Sequence, residues 1–259
     1  MDDCKTRYPI LLLHGLNGRD RVPGRYWGRI PSVLRAHGAA VYLGGQDACA
    51  SIEANALQLR ARILAVLRRE QCEKVNLIAH SKGGLEARYL ISTLKMAASV
   101  ASLTTISTPH AGLKSIDGWY RKRALRSLVS GAENTFWRLF GDREPDFAAA
   151  AYELSAGAMA GFNAANPDHP EVFYQSWGAS LDHARGDRLM RITGMLLRPA
   201  DGESDGLVPA ASAHWGHYCG TVSGVSHRDL ANSRKKCPAG FQAARFYVLL
   251  VQDLVRRGF

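Results

Sequence analysis

The stretch VNLIAHSKGGLEARYL, residues 75–90, runs from an apolar segment through a single serine, Ser81, into a segment of helical character. A short apolar run bounded by turn residues reads as a strand buried on both faces, so the order is strand, abrupt turn, helix. Two positions from the serine on either side stand small residues, Ala79 and Gly83, and Gly84 follows. A serine on a sharp strand-to-helix turn needs such neighbours, because larger side chains would strike the strand or the helix. The turn then lifts the hydroxyl clear of the backbone, as in a nucleophile elbow. The usual pattern is G-x-S-x-G. Here Ala79 replaces the first glycine and is still small. The plainer job for a serine at this place is to cap the helix.

The surrounding chain repeats the theme. Strands are predicted at Tyr8–Leu13, Ala39–Leu43, Val75–Ala79, Leu103–Ile106, Val172–Trp177 and Tyr218–Val225. Between them, helical patterns cover Tyr26–His37, Ser51–Arg69 with Ser51 as N-cap, and Leu85–Met96; Phe241–Val255 closes the chain. Such alternation predicts an α/β protein with a mostly parallel sheet covered by helices on both faces. From Gly112 to about Asp146 the alternation fails. Charges there mix with Trp119, Tyr120, Leu125, Leu128, Val129, Phe136, Trp137, Leu139 and Phe140, the composition of an amphipathic helical insertion. At 259 residues the chain suits one domain, 1–259, with a cap insertion at about 112–165.

The elbow fixes where the rest of a site belongs. The amide of Lys82 falls in the first helical turn, where N–H groups lack partners and the helix dipole favours negative charge, so it suits an oxyanion. A second donor is expected from the glycine-rich loop His14-Gly15-Leu16-Asn17-Gly18, with Leu16 N–H best placed. A serine becomes a nucleophile only when a base takes its proton and an acid orients the base, here in the order Ser, Asp, His. His227, between a strand and a helical region, is the expected base, with His214 and His217 as rivals. The expected acid is Asp205, in an Asp-Gly turn, ahead of Asp201 and Asp187. His14, His80 and His110 are read as structural residues of loops around the site.

Composition excludes some classes. The formal charge of +10 is scattered over short basic runs, and no nucleic-acid-binding motif accompanies it. No apolar run is long enough for a transmembrane span. The opening MDDCKTRYPI lacks the layout of a secretory leader, which predicts a cytoplasmic protein. Cys4, Cys49, Cys72, Cys219 and Cys237 form no C-x-x-C or Cys/His sequence cluster, so free thiols are expected and a zinc site is not; Cys219 and Cys237 could pair under oxidising conditions.

Several motifs in order, YPILLLHGLNG, YWGRIPSVLRAHGAAVY, KVNLIAHSKGGLEARY, STPHAG, FNAANP, SDGLVPAASAHWG and SHRDLAN, make the chain resemble the bacterial true lipases, the triacylglycerol lipase family. The resemblance implies an α/β-hydrolase fold, hydrolysis of carboxylic esters, and a triad of Ser81, Asp205 and His227, with oxyanion donors at Leu16 and Lys82. It implies a lipid or other ester substrate, transient contact with a lipid interface through a lid, no required cofactor, and secretion. It also implies a structural Ca²⁺ at Asp187 and Asp229, although Ser233 stands where the family has glutamine. The disulfide of some members has no counterpart, since Ala211 occupies that place. A short-chain carboxylesterase, a polyester hydrolase and a non-catalytic binding protein are the alternatives on this scaffold.

Overall fold

The computed structural model describes residues 3–20, 26–120, 123–181, 187–192, 195, 202–233 and 240–259; Asp201 and Cys237 lie outside them. Six strands form one sheet in the order β2-β1-β3-β4-β5-β6, every neighbouring pair parallel: β1 Ile10–Leu13, β2 Val41–Leu43, β3 Val75–His80, β4 Val100–Ile106, β5 Phe173–Ser180 and β6 His217–Ser223. Because side chains alternate along a strand, β1 feeds two cores. Ile10 and Leu12 pack beside α1 (Ile30–Ala36) and the closing helix, while Leu11 and Leu13 pack beside α2 (Ile52–Glu70) and α3 (Lys82–Ser92). Both faces of the sheet are thus dry. β6, at the edge, is the strand that departs from this rule and stays largely accessible.

The helix boundaries show where local signals decide. Ser51 caps α2 as expected, its hydroxyl accepting from Ala54 N at 3.1 Å. The helix predicted from Tyr26 begins instead at Ile30, with a proline in its first turn, and the residues before it serve the site described below. α3 starts at Lys82, directly after the serine, and ends at Ser92 rather than Met96. The insertion holds α4 (Lys114–Tyr120), α5 (Arg123–Leu139), α6 (Phe147–Tyr152) and α7 (Ala156–Ala165). A bridge between Leu113 and Ser155 pinches its base together. α8 (His227–Leu230) and α9 (Ala243–Arg256) complete the chain.

No sequence cluster of Cys and His was expected, yet Asp3, Cys4 and His37 meet in space. Their partners are structural: Asp3 accepts from His37 Nδ1 at 2.7 Å and from Gln252, and the Cys4 thiol faces Val248 O. Burial pushes that thiol up to about 11. Cys219 is a free thiol.

A charged network beneath the loop after β1 sets the helix that carries the elbow. Lys82 and Glu86, one turn apart on α3 and both buried, pair at 2.6 Å. Glu86 also accepts from Asn55 of α2 at 2.7 Å and from Gln46 at 3.2 Å, while Lys82 Nζ donates to Ala50 O at 2.8 Å. Gln46 in turn donates to His14 O at 3.1 Å, so the network reaches the glycine-rich loop. A buried pair contributes little net stability, but removing one partner strands the other charge. Glu86→Ala should therefore cost about 3–5 kcal/mol in urea unfolding. A loss under about 1 kcal/mol would mean that the Lys82 ammonium escapes to water.

Candidate active site

Ser81 sits at φ 58°, ψ −132°, a backbone conformation that a residue with a side chain adopts only under strain. Such strain costs on the order of 1–3 kcal/mol and persists only where neighbours enforce it. They do so here from β4 and the turn that follows it. Ser81 N donates to Ile106 O at 2.9 Å, and Thr108 Oγ1 donates to Ser81 O at 2.7 Å. The hydroxyl makes no capping bond to α3, so Ser81 is not the ordinary N-cap. The small neighbours are required by space: a Cβ on Gly83 would stand 2.6 Å from His14 O.

The expected acid and base are found together. His227 Nδ1 lies 2.6 Å from Asp205 Oδ2, and both residues are buried. The other carboxylate oxygen accepts from the amides of Leu207 at 3.0 Å and Val208 at 2.8 Å. His227 N donates to Asp205 O at 2.9 Å, which ties the two turns by backbone as well. On its other side the His227 ring rests against the ring of His80, centroids 4.4 Å apart, and His80 directly precedes Ser81. The expected base therefore lies against the residue that opens the elbow. The rivals are engaged elsewhere: His214 stacks on Tyr218 at 3.6 Å, His217 is exposed on β6, and Asp187 pairs with Arg228.

The glycine-rich loop approaches the serine closely. A Cβ on Gly15 would fall 2.6 Å from Ser81 Cβ and 3.0 Å from Oγ, so only glycine lets the loop come this near. Among the described residues no group accepts from Leu16 N–H or Lys82 N–H, which leaves the two expected donors available.

Sequence reading missed three features. His80 is the last residue of β3 rather than part of a loop. Tyr26 Oη bridges Gly15 N, at 2.8 Å, and His80 Nδ1, at 2.6 Å. Arg88, buried on α3, stacks on Trp215 at 3.5 Å and binds Asn163 at 2.7 Å and Asn166 O at 3.0 Å, fastening α7 to α3; burial lowers its pKa to about 10. The Glu at four residues from Lys82 was a readable signal, whereas the partners of Tyr26 and Arg88 are remote in sequence.

The carboxylates expected to hold calcium are occupied by other groups. Asp229 accepts from Ser226 N at 3.1 Å and Ser226 Oγ at 2.7 Å, closing a capping box on α8. Asp187 already has a cation, the Arg228 guanidinium at 3.3 Å. One expected Ca²⁺ carboxylate thus stands beside a guanidinium and the other closes a helix cap.

Residues 9–152, more than half of the chain, match the family model of palmitoyl protein thioesterase. A triacylglycerol lipase of Pseudomonas fragi is 30% identical over 268 residues, covering 89% of this chain and 90% of the relative. Triacylglycerol lipase 2 of Saccharomyces cerevisiae is 29% identical over 257 residues, covering 90% of this chain and 74% of the relative. The crystal structure of Staphylococcus hyicus lipase superposes with a TM-score of 0.75 over 98% of each chain at 16% identity, a likeness of fold. With its parallel sheet, its serine elbow and this similarity across nearly the whole chain, the protein belongs to the triacylglycerol lipase family of the α/β-hydrolase superfamily.

Proposed function

We propose that the protein hydrolyses the carboxylic esters of lipids, triacylglycerols among them, by acyl transfer through Ser81. The observation that carries this reading is the Asp205–His227 pair at 2.6 Å packed against the elbow. His227, oriented by Asp205, takes the Ser81 proton as the hydroxyl oxygen attacks the ester carbonyl carbon. The amides of Leu16 and Lys82 hold the oxyanion. The alcohol leaves with the proton from His227, and water, deprotonated by the same base, frees the acid and restores the serine. Neither stage changes an oxidation state or calls on an organic cofactor.

The preference for lipid follows from the insertion. Phe136, Leu139 and Phe140 do not pack into the core. Leu128 is 73% and Leu139 81% exposed, with Leu125, Phe136 and Phe140 about half exposed beside them. One apolar side of α5 thus faces outward, and a lipid surface is the medium that rewards it. The far end of α5 is tied to the site: Trp137 Nε1 donates to Asn17 Oδ1 at 3.0 Å, and Asp142 pairs with Arg19 at 2.9 Å. The segment is read as a lid latched at that end.

Ser81→Ala should abolish hydrolysis and labelling by a fluorophosphonate. Asp205→Asn, which keeps the shape but favours the wrong imidazole tautomer, should lower kcat by roughly 10⁴-fold. Unchanged turnover in Ser81→Ala would overturn the mechanism. Leu139→Asp should depress hydrolysis of emulsified long-chain glyceride while leaving a soluble short-chain ester within about twofold of wild type; equal losses on both substrates would remove the case for an interfacial lid. A chelator should leave both activities unchanged, because Arg228 already balances Asp187. Loss of activity reversed by Ca²⁺ would show that a metal is held after all.

A further inference from the structure

His80 and Tyr26 have no part in the acyl-transfer scheme, yet they join its two halves. Tyr26 Oη accepts from Gly15 N–H at 2.8 Å, in the loop that carries Leu16, and lies 2.6 Å from His80 Nδ1. Because the phenol oxygen already accepts from Gly15, the arrangement that gives the phenolic proton an acceptor has the O–H donating to Nδ1. That places the His80 proton on Nε2. The opposite tautomer would give Tyr26 Oη two N–H donors and leave its own buried proton without an acceptor.

The His80 ring then forms the wall on which His227 rests, with centroids 4.4 Å apart and a tilt of 44°. Its Nε2 is buried against the main chain of His227 without completing a hydrogen bond. Burial, and next to it the charge that His227 can carry, hold the His80 pKa well below the usual histidine value, so the wall stays neutral when the base takes its proton. Burial raises the Tyr26 hydroxyl, so that it too stays neutral and remains a donor.

We propose that Tyr26 and His80 are positioning residues for the hydrolysis. One phenolic hydroxyl fixes the oxyanion loop relative to the elbow and locks His80 as the Nε2–H tautomer, which seats the imidazole of His227. This rests on the triad reading above. If it is right, the bridge acts on the transition state, where small displacements of donors and base are felt, and hardly on substrate affinity.

Tyr26→Phe removes the hydroxyl and keeps the ring; His80→Phe keeps the wall and removes the acceptor. On a soluble short-chain ester, measured well below the melting temperature, each should lower kcat about tenfold with KM within about twofold. The double variant should be no slower than the worse single one, since both remove the same bridge. Wild-type kcat in Tyr26→Phe, a fall expressed in KM alone, or losses that multiply in the double variant would overturn the proposal. Nitrogen-15 NMR of the wild-type protein at neutral pH, with His80 assigned by its loss in His80→Asn, gives an arm independent of variant folding. Neutral Nε2–H is expected, and Nδ1–H or imidazolium would refute it. Full activity of Ser81→Ala would instead remove the triad reading, so the two failures are distinguishable.

Discussion

The site depends on one strained peptide. Ser81 is held at φ 58° by two hydrogen bonds from β4 and its following turn, one to each of its main-chain groups, and from that conformation its hydroxyl leaves the strand axis while Lys82 opens a helix. A relaxed serine here would extend β3 or cap α3, and either would turn Oγ back into the backbone. The strain is affordable because the strand below it is fully buried and paired on both sides, so there is no cheaper register into which it could slip. Gly15, after β1, comes closest to that hydroxyl, and the Asp205–His227 pair, from beyond β5 and β6, reaches the same turn through the ring of His80.

Burial of polar groups follows the same logic. Asp205 accepts two amides and an imidazole, Glu86 accepts an ammonium and two carboxamides, and Asp229 closes a cap, so none of these carboxylates faces an apolar wall unpaired. Each unmet group in so dry an interior would cost about 1–3 kcal/mol or more. The loops around the serine are consequently fixed by several hydrogen bonds apiece.

The strands could be read from sequence because a doubly buried strand has a local signature, an apolar run ended by turn residues, and β1, β3 and β4 all carry it. The turn at Ser81 and the pairing of Asp205 with His227 were legible for different reasons: the elbow constrains its neighbours to be small, while the pair was expected from the family resemblance and stands at 2.6 Å. What could not be read were bonds between remote residues. Tyr26 looks like the start of a helix, since its ring continues an apolar period into Ile30 and Leu34, but its hydroxyl is drawn to Gly15 and His80 and the helix starts one turn later. Asp187 carries no sequence mark that announces its arginine partner forty-one residues away. Tertiary partners overrode local propensity in each case.

The insertion raises a question of magnitude. Leu125, Leu128, Phe136, Leu139 and Phe140 leave much of their area in water, and at about 25 cal/mol per Å² their full transfer to a lipid phase would release on the order of 10 kcal/mol. The contacts that tie the segment to the body near the loop, Trp137 to Asn17 and Asp142 to Arg19 and Cys49, contribute about 1 kcal/mol each as ordinary hydrogen bonds, more where charged. A lipid surface can therefore offset the loss of several such bonds, whereas a soluble ester offers α5 no comparable area. The same chemistry at Ser81 would then face two different barriers according to the physical state of its substrate, and the difference would lie in the helix rather than in the triad.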